Sequence, residues 1–424
     1  MKKQLLTAAI LCCLVIAGST AAPKSAKKKP KIPVSRVQTH MDGYLGDRID
    51  ACIRVRVCSE DPDLLVAPMR RQTETSLWQS EFWGKWTLGA IASYRYNKDP
   101  ELLRKIEGGV ESLLAAQQPD GYIGNYAPEA QLTNWDVWGR KYTMLGLLAY
   151  YDLTGDKKAL DGAVRLADHL LTQIPAVRQI ERTGIYRGMS SCSILEPIML
   201  LYNRTLDEKY LDFARYIVDR MESADGPQLI AKALDGVPVS ERFPLDDPSR
   251  GWFVWENGQK AYEMMSCYDG LLELYKVTND PRYLKAVEAT VTSIIADEIN
   301  IAGSGSSFEC FYKGKALQTE PAYHTMETCV TMTWMKLCYD LLRLTRNPLY
   351  ADQIERSAYN ALAASMKEDA SQIAKYSPLE GARSAGEEQC GMHVNCCNMN
   401  GPRAFALLPE AAVTDYGDEL FVNL

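Results

Sequence analysis

Apolar positions recur at three- and four-residue spacing along most of the chain, and they come in pairs of runs. LLAYYDLTGDKKALDGAVRLADHL at 147–170 and LLELYKVTNDPRYLKAVEATVTSI at 271–294 are two copies of one pattern. IMLLYNRTLDEKYLDFARYIVDRM at 198–221 and LCYDLLRLTRNPLYADQIERSAYNAL at 337–362 are two more. ASYRYNKDPELLRKIEGGVESLLAAQ at 92–117 is a weaker fifth. Each reads as an apolar helix, a polar turn holding Asp or Asn, and a second, amphipathic helix. The turn residue stops one helix and caps the next. Asp99, Asp156, Asp207, Asp280 and Asn347 follow one another at intervals of 57, 51, 73 and 67 residues. Periods of that size predict stacked helical hairpins, either an open solenoid or a closed toroid.

The connectors between pairs decide for the toroid. WQSEFWGKW at 78–86, NWDVWGRKY at 134–142 and RGWFVWENGQK at 250–260 are long and aromatic, whereas a solenoid keeps its connectors short. The expected fold is all-α, an (α/α)6-type barrel of helical hairpins over 41–410 with one decorated mouth. About half of these Trp are expected to be buried supports between helices instead. The last segment, AAVTDYGDELFVNL at 411–424, changes to strand-like residues around a Tyr-Gly turn and predicts the start of a β-domain.

The N-terminus has another character. Lys2 and Lys3 precede an apolar run at 5–17 and small residues at 18–22, the pattern of a signal peptide over 1–22. Export to the periplasm or outside the cell is therefore expected. Residues 23–40 begin with the basic stretch PKSAKKKPKI and read as a solvated tether. No later run is long and apolar enough to predict an integral membrane segment. Without the seven lysines of leader and tether, 40 basic side chains face 54 acidic ones, a balance of −14. A nucleic-acid partner is excluded on that charge, and an oligosaccharide or polysaccharide substrate fits better. With 23 Tyr and eight Trp against eight Phe, the aromatic set suits sugar clefts, where ring faces cover C–H surface and OH or N–H groups meet hydroxyls.

Ten of the 12 Cys lie beyond the leader, too few for a disulfide scaffold in a chain of 424 residues. Their spacing is informative in one place. His324-Thr-Met-Glu327-Thr-Cys329 opens an apolar helix, and Cys390-Gly-Met-His393-Val-Asn-Cys396-Cys397-Asn-Met-Asn400-Gly-Pro precedes another. Three thiolates and a carboxylate can make a four-coordinate zinc shell. A vicinal Cys396–Cys397 disulfide and plain buried thiols are equally open on spacing alone.

The segments METC and VNCCNMNGPR, 67 residues apart from Cys329 to Cys396, resemble the E-T-C and C-C-x-x-N signatures of the β-L-arabinofuranosidases of glycoside hydrolase family 127. The helix-pair pattern is similar too, and the resemblance runs over roughly residues 40–424. It implies a retaining exo-glycosidase of the β-L-arabinofuranosidase type acting on plant-type glycans. It also implies zinc on Glu327, Cys329, Cys396 and Cys397, with Cys396 as nucleophile. The Gly-rich stretch GSGSSFECF at 303–311 resembles the family's acid/base segment and implies Glu309 in that role. Such an acid needs a raised pKa, expected here from burial among Phe308, Phe311 and Tyr312. Glu320 is the competing acid.

The family's arabinofuranose-contacting histidines have no counterparts here. The nearest positions hold Lys141-Tyr142, Ser191 and Gln259-Lys260. With Trp138 and Tyr376 as aromatic candidates, Lys141, Tyr142, Gln259 and Lys260 form the expected substrate contacts. The two lysines predict a cationic pocket suited to a carboxylated sugar. His169 reads as structural and His393 as an orienting neighbour of the thiols. Two rival functions remain: a glycosidase or unsaturated-uronide hydrolase using paired carboxylates among Asp136, Glu256 and Glu263, and a carbohydrate-binding protein with structural zinc.

Overall fold

Four of the helix-pair turns share one local solution. Thr154, Thr205, Thr278 and Thr345 each turn their hydroxyl back to the carbonyl four residues earlier. The same hydroxyl then accepts the N–H of the cap residue two positions on: Asp156, Asp207, Asp280 or Asn347. The residue between takes a left-handed conformation, Gly155 at φ 74° and Leu206, Asn279 and Arg346 at 59°, 54° and 59°. The cap side chain accepts from the backbone N–H two residues further on and so starts the outgoing helix. At the fifth turn Asn97 replaces the Thr and bonds the Asp99 N–H.

The computed structural model describes residues 39–243, 259–386, 388–416 and 418–424. The expected leader, most of the tether, Trp252, Trp255 and Glu256 lie outside the described residues. The helices are α1 (Gly43–Cys52), α2 (Pro62–Arg71), α3 (Ser80–Asn97), α4 (Pro100–Ala115), α5 (Asp136–Thr154) and α6 (Lys157–Gln173). They continue with α7 (Met189–Cys192), α8 (Leu195–Thr205), α9 (Glu208–Met221), α10 (Leu229–Leu234), α11 (Ala261–Thr278) and α12 (Pro281–Ser293). The last four are α13 (Thr328–Thr345), α14 (Pro348–Ser357), α15 (Ala363–Ser365) and α16 (Cys396–Ala412).

Helices α3, α5, α8, α11, α13 and α16 form a closed inner ring, each packed on the next and α16 back on α3. α3, α5, α11, α13 and α16 are buried on nearly every face, as a helix enclosed by others must be. The outer helices α4, α6, α9, α12 and α14 bury one stripe each against their inner partners. The architecture is the expected (α/α)6 barrel. Its sixth pair is invisible as a sequence repeat because its halves lie at opposite ends of the chain: α16 is packed by α1. Arg48 of α1 also ties that helix to the end of α15, donating to the carbonyls of Ala363, Met366 and Lys367.

Strands are few among the described residues. β1 (Gln259–Lys260) pairs antiparallel with β2 (Cys310–Phe311), and β3 (Val413–Tyr416) with β4 (Glu419–Val422). The strand-like end of the chain is thus a two-stranded hairpin leaving α16. Trp83, Trp86, Trp138 and Trp334 are buried, and Trp83 and Trp86 donate to the carbonyls of Gly109 and Val57 as interhelical supports. Trp78 and Trp135 are only half-buried.

Candidate active site

The inner helices α3, α5, α8, α11 and α13 end at the tight turns and so begin at the opposite rim, where α16 begins as well. Their first turns deliver the chemistry. Glu81 and Lys85 come from the start of α3, Trp138 from α5, and Tyr262 and Glu263 from α11. Glu327 is the residue preceding α13, and Cys396 is the first residue of α16. With Trp78, Trp135, Ile185, Tyr186, Lys260, Glu309, Lys375 and Gln389 they line a cavity of about 440 Å³. Helix N-termini pointing at one volume favour negative charge there, which suits a site rich in carboxylates and thiols.

Glu327, Cys329, Cys396 and Cys397 converge with their ligand atoms within 4.8 Å of one another. The sulfurs of Cys329 and Cys397 are 3.3 Å apart, and those of Cys396 and Cys397 3.9 Å apart and unbonded. Glu327 Oε1 lies 3.7 Å from the Cys396 sulfur and 3.6 Å from that of Cys397. Two thiolates on one tetrahedral zinc are separated by about 3.8 Å at ordinary Zn–S lengths, so the spacing fits a metal. A second sign is Glu327 Oε2, buried with no hydrogen-bond partner, the state of a carboxylate oxygen built to meet a cation. Of the three thiols, Cys396 is the one that lines the cavity. Hydrogen bonds from Cys329 and Cys397 hold its thiol well below the usual range, overcoming burial, and Lys85 and Lys375 act the same way. Burial pushes the other two thiols up.

Glu309 reaches the cavity from a loop with unusual backbone. Ser306, Phe308 and Glu309 take φ of 86°, 47° and 66°, a run of left-handed non-glycine residues of the kind found where a site dictates the chain's path. The β1–β2 pairing and the bond from the Ala261 N–H to the Glu309 carbonyl, 2.9 Å, fix that loop beside Lys260. Lys260 Nζ lies 2.5 Å from one Glu309 oxygen, and Lys375 Nζ 3.1 Å from the other. The Tyr376 hydroxyl donates to Glu309 at 3.2 Å. Burial raises the pKa of this carboxyl as expected, but the two ammonium groups outweigh it and hold Glu309 well below the carboxylate range. The expectation of a raised pKa is corrected on that ground. Glu327 shows the reverse, pushed up by burial and then by the negative Glu309.

The remaining expected residues divide. Trp138 and Lys260 line the cavity, whereas Lys141, Tyr142, Gln259 and Tyr376 are not in its wall. Lys141 is buried over the Trp138 ring at 4.5 Å, and burial lowers its pKa to about 8 despite Glu196 and Asp269 nearby. Tyr142 shares a hydroxyl hydrogen bond with Tyr262, and Gln259 accepts from the Phe243 N–H at 2.6 Å. Glu320 is exposed. Asp136 is taken up by Arg140, Tyr122 and the Leu132 N–H. His169 is buried against Arg140, and His393 bonds Glu60 at 2.7 Å.

Sequence reasoning missed Glu81, Lys85, Lys375 and Gln389. Glu81 and Lys85 form a buried ion pair at 2.7 Å, and Trp138 Nε1 donates to Glu81. Their signal was present: SEFWGKW has no polar face on which a helical Glu and Lys four apart could meet water.

Residues 38–410 match the family model described as β-L-arabinofuranosidase, GH127 catalytic domain. A non-reducing end β-L-arabinofuranosidase of Bifidobacterium longum subsp. longum is 22% identical over 322 residues, 70% of this chain and 47% of that protein. The chain thus spans about half the length of that curated relative. Among solved structures, a GH127 β-arabinofuranosidase superposes with a TM-score of 0.67 at 21% identity, covering 93% of this chain and 64% of that one. A GH127 β-L-arabinofuranosidase from Geobacillus stearothermophilus T6 gives 0.66 at 20% identity, covering 91% and 66%. An α-1,6-mannanase of family GH76 from Salegentibacter sp. HEL1_6 gives 0.51 at 12%, covering 87% and 98%, a likeness of fold alone.

Proposed function

The chain belongs to the GH127 β-L-arabinofuranosidase catalytic-domain family, and from that premise we propose that it is a retaining exo-glycoside hydrolase that removes β-L-arabinofuranosyl-type units from the non-reducing ends of plant-type oligosaccharides or polysaccharides. The observation that carries the reading is Cys396: among the clustered thiols it is the one that faces the cavity, and Glu309 lines the same wall. Glu327, Cys329, Cys396 and Cys397 would hold zinc. Zinc, when bound, keeps the thiols deprotonated at neutral pH.

The chain's own groups then share the work of a double displacement. The Cys396 sulfur attacks the anomeric carbon, and the C–S bond forms as the glycosidic C–O bond breaks. Protonated Glu309 gives its proton to the departing oxygen. Glu309, now a carboxylate, takes a proton from water, whose oxygen displaces the sulfur and frees Cys396. Two inversions give retention. Lys260 and Lys375 lower the Glu309 pKa and so favour the carboxylate form that the second half-reaction needs. The apolar leader at 5–17 supports export as the setting for this activity.

The test is mass spectrometry of the protein after reaction with an epoxide analogue of L-arabinofuranose. We expect one adduct, on the peptide carrying Cys396. An adduct on Glu263 or another cavity carboxylate would overturn the thiolate scheme in favour of paired carboxylates.

A further inference from the structure

Among the described residues four carboxylates line the cavity, and three are accounted for. Glu81 is matched by Lys85 and the Trp138 N–H. Glu309 is matched by Lys260, Lys375 and Tyr376. Glu327 belongs to the thiol cluster. The fourth, Glu263, sits one turn after Lys260, and its side chain is 4% exposed. Its nearest cation is Lys260 Nζ, 3.9 Å from Oε1, while that ammonium is spent on Glu309 at 2.5 Å. Glu263 Oε2 is buried with no hydrogen-bond partner. A buried carboxylate oxygen is costly unless something donates to it. The protein leaves this one in the wall of the proposed glycone cavity.

The donors a sugar brings are hydroxyls, and a carboxylate accepts two adjacent ones side by side. The cavity's cations tell the complementary story. Lys85, Lys260 and Lys375 each already lie within 3.2 Å of a carboxylate. None of these three is left to receive an anionic sugar, and Glu263 repels one. We propose that Glu263 is a specificity-determining residue that binds vicinal hydroxyls of a neutral glycone and excludes carboxylated sugars, the reverse of what Lys260 implies when read in the sequence. The inference rests on the hydrolase reading for the location of the glycone, and its test can be run without turnover.

The experiment measures binding of free sugars to the full chain by calorimetry. L-Arabinose is compared with its 2-deoxy and 3-deoxy analogues and with D-galacturonate, which keeps the hydroxyl pattern and adds a carboxylate at C5. The wild-type protein should bind L-arabinose at least tenfold more tightly than one of the deoxy sugars and at least tenfold more tightly than the uronate. Glu263→Gln should weaken L-arabinose at least tenfold and the discriminated deoxy sugar less than threefold, so that discrimination collapses. A variant that merely disturbs the fold weakens all alike. Should Glu263→Gln fail to fold, the wild-type selectivities stand as the test, with Glu263→Asp, which keeps the charge but withdraws it, expected to lose discrimination in the same order. Equal affinity for L-arabinose and both deoxy analogues, or preference for the uronate, overturns the proposal. Selective binding without hydrolysis of aryl arabinofuranosides would sink the hydrolase reading and leave Glu263's role intact. Hydrolysis without selectivity would do the opposite.

Discussion

The two rims of the barrel are made by the same inner helices and could hardly be more different. At one rim the helices stop in short turns, where Thr, a left-handed residue and Asp or Asn satisfy the exposed backbone from within a few residues. At the other rim the helices start, and long connectors bring together residues hundreds of positions apart in sequence, as with Gln79 donating to the Cys390 carbonyl. The first rim solves a local problem of helix termination. The second gathers charged and sulfur groups out of water, and each is tuned by neighbours it does not share a segment with. Stability should therefore respond to the first rim and activity to the second.

The sharpest break in that contrast comes at the thiols. Cys396→Ser keeps the size of the side chain but replaces a thiolate by a hydroxyl that stays protonated. Its kcat/KM on aryl arabinofuranosides should fall by about three orders of magnitude or more, with the melting temperature nearly unchanged. Cys397→Ser should lower both, and added zinc should recover part of each. Full activity in Cys396→Ser would move the chemistry elsewhere on the rim.

A smaller effect tests the ion pairs around Glu309. Lysine cations hold its carboxyl low, so the protonated fraction that serves as acid is lost as pH rises through a range below that of an ordinary carboxylate. Lys375→Met removes one cation and raises the carboxyl's pKa. For substrates with poor leaving groups the falling limb of kcat against pH should then move to higher pH, on the order of one unit. Activated aryl glycosides, which need little protonation, should show no such move. An unshifted limb would detach Lys375 from the acid.

The smallest effect belongs to the turn rim. Asp207→Ala deletes the side chain that accepts the Lys209 N–H and should cost about 1 kcal/mol in urea unfolding, with kcat/KM unchanged. A loss of activity at constant substrate affinity would show that the two rims are coupled after all.

The same division governs what can be read before folding. Five helix pairs are legible because each is a local pattern: apolar periodicity, a capped turn, apolar periodicity again. The pair of α1 and α16 is not, since periodicity carries no information on which distant helices meet. Glu327, Cys329, Cys396 and Cys397 are legible as motifs, and their convergence within 4.8 Å follows from two helix starts meeting at one rim. Lys375 gave no local sign at all.

What the amino-acid order determined by itself is therefore the alternation of buried and amphipathic helices, their termination, and the residue types held at the start of α13 and α16. These depend on contacts within a turn or two of chain. What only the tertiary structure decided is the charge state of each group. Glu309 is low because Lys260 and Lys375 reach it from 49 and 66 positions away. Cys396 is low because two thiols from α13 and its own helix donate to it. Glu263 has an unmatched oxygen because its nearest lysine is committed elsewhere. In a buried site, ionisation is set by the nearest charges in space, and the sequence lists those charges without saying which will be neighbours.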